Sequence, residues 1–287
     1  MTHAEQVQEF HYRLPHRSAG ARPGSHPGSS LGAGQEFVSH MNLHDRPDPR
    51  RLDLRASLRS ITGEWLVRVN RQRVGVAVQA LVDVSASMAF GARRRKIDLA
   101  ADFVESLAHS AFRVGDALGL RAFDHAERAD LTIPATLSRG LGSVMADSLR
   151  HCDTAPGGIE GLEDVVQQMV GREALVFIVS DFHWPLDRLG AALDLLSHAF
   201  VVPMVLWDAA ETEPPHSDAI APLRDAETNV RRTLLLRPKL RSQWRDAVAD
   251  RREALNALFA AHDLRPFWLT GRFDADALSD YFMEACA

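Results

Sequence analysis

Short apolar runs alternate along this chain with longer stretches whose apolar residues recur at helical spacing. Val74–Val82 and Ala174–Val179 are almost continuously apolar, which predicts strands buried on both faces. Ala117–Phe123 and Val201–Trp207 read as further strands, and residues 126–135 as a short edge strand closed by Pro134. Between them, Ile97–Phe112 has the pattern of a helix buried on most faces, ended by Gly115-Asp116. Leu141–Arg150, Ile159–Val170 and Leu186–Phe200 read as helices too. A strand at Val230–Leu236 follows the turn-like stretch 225–229. A long helix at Pro238–His262 comes next, with a core stripe of Leu240, Trp244, Val248, Leu255, Leu258 and Phe259. Pro266–Thr270 is a last strand and Asp274–Glu284 a closing helix. Buried strands separated by helices predict an α/β fold with a doubly wound, mostly parallel sheet.

The N-terminal part reads differently. Residues 20–34 are rich in Gly, Pro and Ser and predict an irregular loop. Asp48 and Asp53 lie among Arg46, Arg50, Arg51 and Arg55, a pattern expected of ion pairs that fix a turn and a short helix. Glu64–Asn70 alternates as a half-buried strand does. The predicted organisation is a basic, partly irregular extension over 1–73 and an α/β domain over 74–287.

Composition narrows the class. Apolar residues make up 46% and charged residues 25%, as in soluble globular proteins. No apolar run approaches the roughly 20 residues of a membrane span. The first residues lack a signal-peptide pattern, and Cys152 and Cys286 stand apart without metal spacing. Together these predict a cytoplasmic protein with reduced thiols. Residues 1–75 hold 11 Arg against 7 Asp and Glu, a balance of +4, and the remainder of the chain carries −9. A basic arm beside an acidic body suggests docking. Nucleic acid is not the expected partner, because the arm has few aromatics and no recognition motif.

The chemistry concentrates where strands end. Asp83 closes the first buried run, and Ser85 and Ser87 follow at alternate positions. A carboxylate and two hydroxyls at the carboxyl end of a buried strand offer hard oxygens to one point, a set that suits Mg²⁺. Asp181 ends a second buried strand and would add a second carboxylate. The plainer alternative is a capped turn at Ser85 and Ser87, with Asp181 capping the helix that starts near Leu186. Arg93–Lys96 reads as a solvated basic loop, able to steer an acidic partner. Ser85 is flanked by Val84 and Ala86 and not set in Gly-x-Ser-x-Gly, no Gly-x-Gly-x-x-Gly stands at a strand end, and His-Glu-x-x-His and Walker motifs are absent. His183, close after Asp181, reads as a surface or helix-capping residue, with approach to the site as the alternative.

Asp-x-Ser-x-Ser after a buried strand, then a buried helix, strand and helices, then Phe177-Ile-Val-Ser-Asp181, resembles the von Willebrand factor A domain and its metal-ion-dependent adhesion site. The resemblance implies Mg²⁺ held by Asp83, Ser85, Ser87 and Asp181, with an open position for a partner carboxylate. It also implies a loop threonine after paired glycines. Here Pro156-Gly-Gly-Ile159 puts Ile159 at that place, and Thr154 is the substitute hydroxyl. Arg46-Pro-Asp-Pro-Arg-Arg-Leu-Asp-Leu-Arg-Ala-Ser57 is similar to a signature of uncharacterised bacterial A-domain proteins encoded beside MoxR-type AAA+ ATPases. Phe10-His-Tyr-Arg-Leu-Pro15 and Gly34-Gln-Glu-Phe-Val-Ser-His40 resemble the members found in methanol-oxidation gene clusters. The resemblance implies a non-enzymatic adaptor that works with a separate MoxR-type ATPase to mature a client complex, there the methanol dehydrogenase system. A metal-dependent hydrolase using the same oxygens and a metal-free scaffold are the alternatives.

Overall fold

The computed structural model describes residues 8–14, 23–32, 34–215, 220–224 and 231–285. The turn expected at 225–229 and Cys286 lie outside the described residues. The chain divides into two compact units, Arg13–Val76 and a larger one that joins the segment ending at Tyr12 to Ala77 and beyond.

The smaller unit is a three-stranded antiparallel sheet. Its strands are β1 (Pro23–Gly32), β2 (Glu36–Asn42) and, after a short helix α1 (Leu54–Leu58), β3 (Leu66–Val74), in the order β1-β3-β2. β1 overturns the expectation of an irregular loop at residues 20–34. Its glycines and prolines carry no alternating pattern, yet they let the backbone approach β3. A Cβ on Gly28 would stand 2.6 Å from the Gln72 carbonyl oxygen. β3 buries Val67 and Val69 on one face, as its alternation requires. Asp53 caps α1 by accepting from Ala56 N at 3.1 Å, and it pairs with Arg68 Nε at 2.7 Å. Asp48 caps the preceding turn and pairs with Arg51. The expected ion pairs therefore form, although Asp53 finds its arginine on β3 and not among its sequence neighbours.

The larger unit is built on a six-stranded sheet. In chain order its elements are β4 (Ala77–Asp83), α2 (Lys96–Val114), β5 (Ala117–Phe123), β6 (Glu127–Thr136), α3 (Leu141–Arg150), α4 (Ile159–Gln167) and β7 (Leu175–Ser180). There follow α5 (Leu189–Asp194), β8 (Phe200–Trp207), α6 (Ala209–Thr212), β9 (Ile220–Arg224) and β10 (Arg231–Leu235). α7 (Pro238–Ala261), β11 (Phe267–Thr270) and α8 (Ala275–Ala285) complete it. The sheet order is β11-β8-β7-β4-β5-β6, parallel throughout except for β6 at the edge. β9 and β10 form a separate hairpin.

Alternate residues of one buried strand reach opposite layers. Val176 and Ile178 join a cluster with Leu162, Leu193 and Phe259, from α4, α5 and α7. Phe177 meets Phe103 of α2 and Phe282 of α8 at 5.1 and 6.1 Å between ring centroids. Helices thus cover both faces, compatible with a doubly wound fold. Phe10 packs against Phe103 and Phe282, so the first residues of the expected N-terminal extension belong to this core. Two helices differ from expectation. The Leu186–Phe200 span is helical only over α5 and continues as tight turns into β8. In α7 only Leu255 and Phe259 of the six-residue stripe are buried.

The first crossover leaves β4 for β5 on one side, and β7 then returns to pair on the other. The crevice at the carboxyl ends of β4 and β7 is therefore a topological switch point, the place where open α/β sheets hold ligands.

Candidate functional site

Asp83 and Asp181 stand at that switch point, because Val82 and Val179 are register partners in adjacent parallel strands. Both are at most 1% exposed. Asp83 Oδ1 accepts from Ser85 N at 2.9 Å. Its Oδ2 accepts from Ser180 Oγ at 2.6 Å and Trp184 Nε1 at 3.3 Å. Ser85 and Ser87 hydroxyls lie 3.1 Å apart. After Ser85 the chain turns tightly through Ala86–Ala89 and plugs the space beneath with Met88, which is fully buried.

The loop before α4 closes the other side. Ala155 bridges Ser85, and its carbonyl accepts from Ala86 N at 2.8 Å. The approach requires glycine at 157, where a Cβ would come within 2.2 Å of the Ser85 Cβ. The structure thus brings Asp83, Ser85, Ser87 and Asp181 together. Thr154, half-buried one residue before Ala155, is not joined to them by a hydrogen bond among the described residues. Ile159 is buried in the core.

Asp181 does not cap a helix. Its Oδ1 accepts from His183 N at 3.2 Å, and its Oδ2 faces Lys96 Nζ at 2.7 Å. Lys96, read from sequence as part of a solvated loop, is 1% exposed. It also donates to Glu211 Oε1 at 2.5 Å. Glu211 is held in turn by a capping box on α6, with Oε2 accepting from Asp208 N at 3.0 Å. The rest of the basic run is largely neutralised, Arg94 by Asp102 and Arg95 by Asp98. Lys96, Glu211 and Trp184 are the site residues that sequence reasoning missed. One signal was available for Lys96: Lys239 is the only other lysine in the chain, although Lys and Arg together number 33.

Charge and burial set the protonation behaviour. Burial, and then the nearby Asp181 charge, push Asp83 up to about 6 against the pull of its hydrogen bonds. Burial also opposes ionisation of Asp181, but the charges of Lys96 and His183 outweigh it and hold Asp181 below its ordinary value. Glu211 is likewise held low, its burial outweighed by His183 and Lys96. Lys96 is raised, since the two carboxylates overcome its desolvation.

Phe182, next to Asp181, takes a φ of 53°, a left-handed conformation that bulky residues avoid. Ser180 Oγ accepts its N–H at 2.9 Å, and its ring packs on Trp184 and Phe259. Strain of this kind persists only where packing over-determines it, and it clusters at functional sites. A cleft of about 450 Å³ opens over Ser87, lined by Gly157, Ile159, His183, Trp184 and Arg188 among others.

The Mg²⁺ implied by the resemblance meets a donor set already engaged. The second carboxylate, Asp181, is occupied by an ammonium, and both oxygens of Asp83 accept hydrogen bonds from the chain's own donors. These residues do not fit the implied divalent ion in the arrangement seen.

A protein of Paracoccus denitrificans named as an uncharacterized protein in the moxR 3′ region is 35% identical over 92 residues, 32% of this chain and 88% of that one. An uncharacterized protein of Mycobacterium bovis is 26% identical over 238 residues, 81% of this chain and 74% of that one. Among solved structures, an aerotolerance-related membrane protein of Bacteroides fragilis matches at a TM-score of 0.40 and 14% identity, over 73% of this chain and 98% of that one. That likeness is too distant to assign the fold, which rests on the strand order above. That structure is named as a membrane protein, and the expectation of a cytoplasmic location is withdrawn. No helix among the described residues is long and apolar enough to cross a membrane. Residues 47–254 match the model of the family described as protein of unknown function DUF58, and the chain belongs to that family.

Proposed function

We propose that this chain is a non-catalytic adaptor whose partner docks in the cleft over Ser87, and that a separate MoxR-type AAA+ ATPase acts on the assembly. The observation that carries this reading is the buried polar cluster of Asp83, Ser85, Ser87, Lys96 and Asp181 at the sheet's switch point. Such a cluster stabilises a fold less well than apolar residues of the same volume, so its presence points to a role beyond stability. The cleft beside it gives a partner access. The moxR neighbourhood named for the Paracoccus relative supports the ATPase as partner.

The order of motifs and strands supports a von Willebrand factor A-like reading of the larger unit. The segments at residues 10–15 and 34–40 support an assignment near the MxaS protein, with the methanol dehydrogenase system as client. Against a histidine-activated serine, the site serines bond each other, Asp83 or Asp181, while His183 Nε2 faces Glu211 at 3.8 Å. None of these contacts joins a histidine to a site serine, so the serine–histidine arrangement of nucleophilic hydrolases is not what supports a function.

The test is co-purification of the full chain with the MoxR-type ATPase of its own genome, with and without ATP. Retention by the wild type, and its loss when Ser87→Trp fills the cleft, is expected. Equal retention by both would place the contact elsewhere. Phosphoester or ester turnover abolished by Asp83→Ala would replace the adaptor by the hydrolase.

A further inference from the structure

We propose that the cation of this site is Lys96 itself: its ammonium takes, by covalent tether, the charge-balancing place that the resemblance gives to a divalent ion. Asp181 and Glu211 are then balanced without metal. Three independent features of the residue point the same way.

The first is geometry. Lys96 Nζ lies 2.7 Å from Asp181 and 2.5 Å from Glu211, with the Phe90 ring centroid at 5.9 Å. Two carboxylates and an aromatic face surround a side chain that is 1% exposed. A divalent ion on Asp181 Oδ2 would sit against this ammonium, and like charges at that range repel strongly inside a protein.

The second is position. Lys96 is the first residue of α2, at the positive end of the helix, where a cation is disfavoured. The helix start contributes nothing to holding it, so the carboxylates must. Its backbone N–H donates to Phe90 O at 2.9 Å, which fixes the entry of the chain.

The third is residue type. The chain uses arginine for nearly every cation, and lysine occurs only at 96 and 239. Guanidinium is planar and weakly hydrated, whereas ammonium is a compact point charge with tetrahedral donors. Of the two, ammonium is the closer counterpart of a small hard cation among oxygens.

Metal titration of the chain alone reads this inference, whereas partner retention reads the adaptor, so either can fail without the other. The full chain, stripped with EDTA and dialysed, is titrated with Mg²⁺ and Mn²⁺ by calorimetry. Melting is followed in parallel. The wild type should show no saturable heat at millimolar metal and no metal-dependent shift in melting temperature. Lys96→Ser, which removes the ammonium and leaves space, should gain saturable Mn²⁺ binding that Asp83→Ala abolishes. Lys96→Met, which removes the charge and keeps the volume, should stay metal-blind. Saturable uptake by the wild type overturns the proposal, as does a folded Lys96→Ser chain that binds nothing. If the serine variant does not fold, the wild-type titration decides alone.

Discussion

Lys96→Met tests the energetics of the site most directly. Methionine matches the length of the lysine stem, so the main loss is the charge facing Asp181 and Glu211. Glu211 is 20% exposed in its side chain and can turn toward water; Asp181, at 1%, cannot. The variant can relieve the uncompensated carboxylate by protonating it. From the ordinary value of 3.8, that costs about 1.4 kcal/mol per pH unit, or about 4 kcal/mol at pH 7. This ceiling agrees with the roughly 3–5 kcal/mol seen when one partner of a buried pair is removed.

The pH trend carries its own sign. In the wild type Asp181 is held below its ordinary value, so its contribution is present above about 4 and is lost as pH falls through the lower folded value. In the variant the folded value rises instead. The deficit relative to wild type should therefore shrink to about 1.7 kcal/mol at pH 5. Guanidinium unfolding of both chains at pH 7 and pH 5 measures it. A loss under about 1 kcal/mol at pH 7, or an equal loss at both pH values, would refute the account of a buried, charge-matched lysine.

Three further outcomes follow from single side chains. Asp83 is raised to about 6, so its ionisation weakens the fold as pH climbs from about 4 through 6. Asp83→Asn should then melt higher than wild type at pH 8 and lose that advantage at pH 4, with a gain no larger than about 3 kcal/mol. Gly157→Ala forces its Cβ against Ser85 and should cost about 1–3 kcal/mol in denaturant unfolding; an unchanged midpoint would mean the loop does not pack on Ser85 as described. Tyr12→Phe removes the hydrogen bond to buried Asp116 at 2.6 Å and should cost about 1.5–3 kcal/mol, checked by the same unfolding curves.

The alternation of buried strands and helices was legible because local pattern states it. Ala117–Phe123 and Leu141–Arg150 occur at their expected bounds, and the glycine end of α2 adopts φ 86° as a helix stop requires. β1 was not legible, since a glycine- and proline-rich strand owes its form to backbone pairing with β3 and not to its side chains. Asp83, Ser85 and Ser87 could be grouped because they lie within five residues. Adding Asp181 needed only the assumption that two buried strands are neighbours.

Sequence by itself determined the α/β class, the strand ends that bear carboxylates, and the hydroxyls beside them, because these follow from short-range periodicity and from residue type. Tertiary structure alone decided what balances the charge. Lys96, Asp181 and Glu211 are 85 and 115 residues apart along the chain from the lysine, and only the fold sets their atoms within 3 Å. A charged residue in a basic run looks solvated until packing removes the water. Burial then makes its choice of partners the dominant energy of the site.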